Sequence, residues 1–192
     1  MSAPDSVIEI ARIRLLGDPA LREIGGPVES FDEPIFIQQA QLLFTTLLDF
    51  RRKNQFGRAI SAPQIGCGKR LIAMCLDGER HIIINPEITW TSAERFTMWD
   101  DCMSFPTLLV RLERARSISI HFQDEDGKHA DWERLDIATS ELLQHEIDHL
   151  DGRLAIDRAI DRESIILRET YSRMPEHFRK LVDYEIRAEP SP

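Results

Sequence analysis

The sequence predicts an α+β fold, with mostly antiparallel sheets around a central helix and a further helix near the C-terminus. Three observations predict it. Apolar residues recur at three- and four-residue steps in two well-separated stretches. Between them lie short β-rich runs punctuated by turn dipeptides. Strands gathered ahead of a central helix suit antiparallel sheets.

The elements follow in order. Gly17-Asp18-Pro19 and Gly25-Gly26-Pro27 are turn signals. Residues 33–54 read as a helix through Phe36, Ala40, Leu43, Phe44, Leu47 and Leu48, with Pro34 at its front and Gly57 beyond its end. Residues 70–76 read as a strand, Asp77-Gly78 as a hairpin turn and 81–84 as the returning strand. Ile118, Ile120 and Phe122 share one face of a strand over 117–122. A turn at 124–127 leads to a candidate strand at 130–135. The central helix spans 138–150, with Gly152 placed to end it. A last helical stretch covers 163–187, broken near Pro175. At 192 residues the chain suits one domain, 1–192, with about 161–192 as a helical C-terminal extension.

Composition narrows the function classes. A net charge of -9 argues against DNA binding and against anionic membranes. Cys67, Cys75 and Cys102 are too few and too scattered for a disulfide framework, and an odd count suits a reducing compartment. No apolar run approaches the roughly 20 residues a membrane span needs. Met1-Ser2-Ala3-Pro4-Asp5 has neither a basic start nor an apolar stretch, and Asp5 and Glu9 suit a transit peptide poorly. These features together read as a cytoplasmic protein.

The chemistry concentrates in His145-Glu146-Ile147-Asp148-His149. Histidines four apart on a helix share a face and can grip one ion, while the glutamate between them can serve as a base. Two histidines leave such a site one ligand short. The third could be a downstream carboxylate, Glu163 or Glu169, or the upstream thiolate of Cys102. A Cys-His-His set by itself suits zinc. Asp148 reads as a partner for Arg111 or Arg114 or as a surface residue, and His81, His121, His129 and His177 as structural or exposed. Cys67 and Cys75 read as small buried or half-buried side chains.

Three ordered segments resemble the peptide deformylase family. They are Gly57-Arg58-Ala59-Ile60-Ser61-Ala62-Pro63-Gln64, Asp100-Asp101-Cys102-Met103-Ser104, and the stretch from Gln144 through His145 and His149 to Gly152. Gly17-Asp18-Pro19-Ala20-Leu21-Arg22 is similar to the family's opening, so the likeness spans roughly residues 10 to 160. The resemblance implies that Cys102, His145 and His149 hold one divalent metal, ferrous iron, with zinc or nickel able to take its place. It implies Glu146 as general acid/base. It also implies that the Gln64 amide and the Met103 backbone N–H stabilise an oxyanion. The implied reaction releases formate from formyl-methionyl N-termini of nascent chains, near the ribosome. The alternative is a deformylase-like metalloamidase acting on another formylated or acylated compound.

Departures from the family pattern fall on the substrate side. Asp100-Asp101 stands where Glu-Gly is usual, Ala59 replaces a glycine, and Arg58 replaces an apolar residue. Glu141, one turn before His145, occupies a usually apolar position lining the methionine pocket. It either turns to solvent, pairs with Arg58, or alters the pocket toward a more polar side chain. Gly57, Arg58, Ala59, Asp101 and Glu141 are thus the candidate substrate-binding residues.

Overall fold

The structure is a computed structural model that describes residues 9–186. Met1 to Asp5 and Arg187, which entered the sequence reading, lie outside the described residues. Two sheets form, and every strand pair within them is antiparallel. β1 (Ala59–Ser61), β2 (Leu71–Leu76), β3 (Glu79–Thr91), β6 (Ile118–Gln123) and β7 (His129–Trp132) make a five-stranded sheet in that order. β4 (Arg95–Asp100), β5 (Leu108–Ala115) and β8 (Ile165–Leu167) make a second sheet.

Helix α1 (Pro34–Asn54) covers one face of the larger sheet and α2 (Ile137–Leu150) the other. The period-two rule sorts β2 between them. Leu71, Ala73 and Cys75 pack with Phe36, Ala40, Leu43 and Leu47 of α1. Ile72 and Met74 pack with Leu142, Leu143, Ile147 and Leu150 of α2. Fully buried Leu143 and Leu150 contribute roughly 2 kcal/mol each to that docking. Met98, Val110 and Leu112 of the smaller sheet form a third cluster with Cys102 and Leu154. All of α2 from Ser140 to Leu150 is buried. A helix covered on every side must satisfy its polar groups internally, and that is what the site requires.

Local chemistry explains the ends of α2. The Asp136 carboxylate accepts from the Thr139 N–H at 2.9 Å, capping the helix start. Gly152 follows at φ 69°, and a Cβ there would meet the Arg22 carbonyl oxygen at 2.5 Å. Only glycine fits that position. The Asp77-Gly78 turn has φ of 51° and 82°, the signature of a two-residue primed hairpin.

Other elements differ from expectation. The left-handed cap of α1 is Gln55 at φ 62°, not Gly57. Leu48 is exposed rather than facing the sheet. β3 does not stop at Ile84. It crosses an irregularity at Asn85, at φ 50°, whose side chain bonds both the N–H and the carbonyl of Val28 at 2.8 Å. The stretch 163–187 is not one helix. It begins with β8, paired to Leu108–Val110, and continues as two short helices, α3 (Arg168–Arg173) and α4 (Pro175–Arg179), meeting at Pro175. Among the described residues no helix is long and apolar enough to cross a membrane.

Candidate metal centre

Three structural elements bring the site together. α2 presents His145, Glu146 and His149, with the two imidazole rings 5.0 Å apart. The turn after β4 delivers Cys102, whose Sγ lies 3.2 Å from His149 Nε2. One donor atom from each of Cys102, His145 and His149 falls within 4.8 Å of the others. All three residues are buried. A soft thiolate with two imidazoles at this spacing fits one divalent ion of the zinc or ferrous type with little adjustment. Glu163 is exposed, and Glu169 is exposed on α3 and bonded to Arg173, so neither downstream carboxylate reaches the cluster.

The third element is the short 3-10 turn Ala62–Ile65, which carries Gln64. Its Oε1 accepts from the Ser61 N–H at 2.9 Å, which fixes the amide. Its Nε2 then points to Cys102 Sγ at 3.7 Å and Ser104 Oγ at 3.3 Å. The N-terminal segment pins both loops: Arg14 N–H donates to the Gln64 carbonyl at 2.7 Å and Leu16 N–H to that of Ser104 at 2.8 Å. Among the described residues no acceptor lies on the Met103 N–H, immediately after the thiol. Ser61 also donates its hydroxyl to the Glu146 carboxylate.

A chain of buried charges holds the histidines. His145 Nδ1 meets Asp100 Oδ2 at 3.0 Å, leaving Nε2 toward the cluster. Arg114 donates to the same Asp100 oxygen at 2.7 Å and to Asp148 at 3.1 Å, and Arg158 completes Asp148 at 2.6 Å. Burial alone would raise the Asp100 carboxyl, but the charges on His145 and Arg114 outweigh it and hold it well below the usual range. Burial opposes charge on His145, and Asp100 overcomes it, so the ring attracts a proton or a cation strongly. Burial and the neighbouring His145 push His149 well below its ordinary value, keeping it neutral as a ligand must be. Burial raises the Glu146 carboxyl, with His145 and Ser61 opposing.

A cavity of ≈ 420 Å³ opens on this cluster. Cys102, His145, Glu146, Gln64 and Met103 line it, as do Gly57, Arg58, Ala59, Asp101 and Glu141; His149 lies behind. Gly57 has φ 105°, and a Cβ there would meet Met103 Cε at 2.5 Å. Glu141 is paired with Arg58 and not turned to solvent. Burial lifts its carboxyl to about 7, with the Arg58 charge opposing.

The model of one family, polypeptide deformylase, matches residues 10–164. This chain belongs to the polypeptide deformylase family. A Bartonella quintana peptide deformylase is 37% identical over 161 residues, covering 79% of this chain and 86% of the relative. One from Thermotoga maritima is 33% identical over 158 residues, covering 82% and 92%. The crystal structure of a peptide deformylase from Legionella pneumophila superposes with TM-score 0.73 at 31% identity, covering 90% of this chain and 96% of that one. The chain is therefore an enzyme, a hydrolase of the deformylase family.

In this deformylase family member the region beyond the match contributes to the cavity. Arg168, Tyr171, Arg179 and Glu185 stand on its wall. Arg168 donates to Asp101 at 3.0 Å and to the Pro106 carbonyl at 2.9 Å, and its guanidinium lies 4.3 Å over the Phe56 ring. Trp99 Nε1 donates to the Phe178 carbonyl at 3.0 Å, docking α4 on β4. The segment read from the sequence as a helical extension thus also walls the cavity. Nothing in its sequence marks it as a pocket wall, since its links to the site, such as Arg168 reaching Asp101 67 positions away, are tertiary.

Several remaining readings resolve simply. Asp148 pairs with Arg114, whereas Arg111 binds Asp161 at 2.7 Å. His81 and His177 pack edge-on against Trp132 and Phe178, and His121 stacks on His129 at the surface. Cys75 is buried and Cys67 half-buried. Sequence reasoning missed Ser61 as the partner of Glu146. It also missed Asp100 as the partner of His145, although its place at the head of the cysteine motif was the available signal.

Proposed function

We propose that the enzyme hydrolyses N-terminal formamides of peptides through Glu146, at a centre held by Cys102, His145 and His149. Cys102, His145 and His149 would hold one divalent ion, which when bound acidifies a water and polarises the formyl oxygen. Ferrous iron is the ion proposed for the cell, and zinc or nickel suit the same donor set.

Glu146 takes a proton from the attacking water and returns it to the departing nitrogen. One water and one formamide become formate and a free amine. Ser61 keeps the carboxylate aimed, and burial raises its proton affinity, as suits a group that must hold a proton between the two transfers. The Gln64 amide, fixed by Ser61, and the open Met103 N–H are the donors proposed for the oxyanion. The observation that carries the reading is this convergence of base, donors and ligand cluster on one cavity.

The substrates proposed are formylated N-termini, formyl-methionyl nascent chains among them, met in the cytoplasm near the ribosome. Formate release from formyl-Met-Ala-Ser, with iron, nickel or zinc supplied separately, is the test. Turnover with at least one ion is expected, and no formate with any of them would sink the reading.

A further inference from the structure

From the His145 face the cavity continues along α2 toward its amino end, one turn or about 6 Å, to Glu141. Glu141 is 1% exposed. Arg58 binds its Oε1, and among the described residues no group donates to its Oε2. Of the five N–H groups on a guanidinium, Arg58 commits two, one to Glu141 and one to the Ala138 carbonyl at 3.3 Å. Where Glu141 is ionised, the cavity wall at this turn offers an acceptor that no described group fills, beside spare Arg58 N–H groups.

The chemistry of that pair selects an occupant. An apolar side chain would seal Oε2 from every donor and leave it unpaired. A cationic side chain would satisfy Oε2 but set its charge beside the Arg58 guanidinium. A carboxylate would set two anions together. A neutral carboxamide fits both partners: its N–H donates to Glu141 Oε2 and its carbonyl accepts from Arg58.

We propose that Glu141 and Arg58 set substrate choice, favouring a formylated peptide whose first side chain ends in a neutral carboxamide, glutamine-like in length, over methionine. The inference rests on the formamide hydrolase reading. Formyl-methionyl peptides remain substrates, but poorer ones than the glutamine-led peptides.

The test compares kcat/KM for formyl-Gln-Ala-Ser, formyl-Met-Ala-Ser and formyl-norleucyl-Ala-Ser on the metal-loaded enzyme. Calorimetric binding of the three deformylated product peptides runs in parallel. The glutamine substrate is expected to lead norleucine by about tenfold or more, with product affinities in the same order. The double variant Arg58→Leu with Glu141→Leu replaces the ion pair by apolar volume, and it is expected to invert the order. Equal or better turnover of the methionine and norleucine substrates by the wild type overturns the inference. If no peptide releases formate, the hydrolase reading fails separately. Product binding to the wild type then decides the pocket: glutamine ahead sustains it, and norleucine ahead overturns it.

Discussion

Replacing Asp100 with asparagine perturbs the electrostatic centre of the site while keeping its shape. Asp100 takes hydrogen bonds from His145 at 3.0 Å and Arg114 at 2.7 Å, with all three groups buried. Removing one partner of a buried charge network costs about 3–5 kcal/mol, because the remaining charge stays desolvated. Arg114 keeps Asp148 at 3.1 Å, so the loss lies at the low end, about 3 kcal/mol. The same change should weaken metal affinity by about 10- to 100-fold, since the carboxylate orients His145 and raises its basicity. Urea unfolding followed by circular dichroism reads the first quantity, and competition with a chromophoric chelator reads the second. The sign with pH follows from the depressed Asp100 carboxyl: its contribution is present above the unfolded carboxylate value, about 4, and is lost as pH falls below it. The variant should therefore match wild type more closely at acid pH than at neutrality. An asparagine variant as stable as wild type at neutral pH, with unchanged chelator competition, would refute the reasoning.

Other perturbations have defined outcomes. Gly57→Ala places a methyl 2.5 Å from Met103 Cε at φ 105°, so about 1–3 kcal/mol of stability should go along with most of the turnover, read by thermal melts and formate release. Glu141→Gln should flatten the pH dependence of stability between about 4.5 and 7: the buried carboxyl, raised to about 7, binds its proton more tightly when folded, so wild type loses up to ~3 kcal/mol as pH rises through that window. Arg168→Met should change stability by less than ~1 kcal/mol, since its pair with Asp101 is partly solvated. It should nevertheless raise KM for peptides longer than two residues, and an unchanged KM would remove Arg168 from the substrate path.

How far the sequence could be read depended on where polar groups point. α2 was legible because its apolar period and its metal-facing residues fall on a single helix, and α1 because Phe36, Ala40, Leu43 and Leu47 repeat cleanly. β5 was not. Its inward-facing set is Val110, Leu112 and Arg114, and an arginine at the third place breaks the apolar alternation that announces a strand. That arginine is inward because Asp100 and Asp148 meet it there, a fact of tertiary structure alone. β8 has only three residues and exists because Leu108–Val110 offer an edge. The motif residues of the site were legible through the resemblance. Bottom-up spacing alone left the third ligand open between Cys102 and the downstream glutamates, which burial now separates. Glu141 was legible as an oddity on the metal-facing side, but its pairing with Arg58 needed β1 set against α2.

The central claim is that Glu146 supplies the proton transfers at a centre held by Cys102, His145 and His149. Its most direct test is the Glu146→Ala variant, purified without oxygen, with bound metal and formate release measured on one sample. The account predicts about one metal per chain, as in wild type, and loss of nearly all formate release. A variant that keeps its metal and still releases formate at the wild-type rate would contradict it.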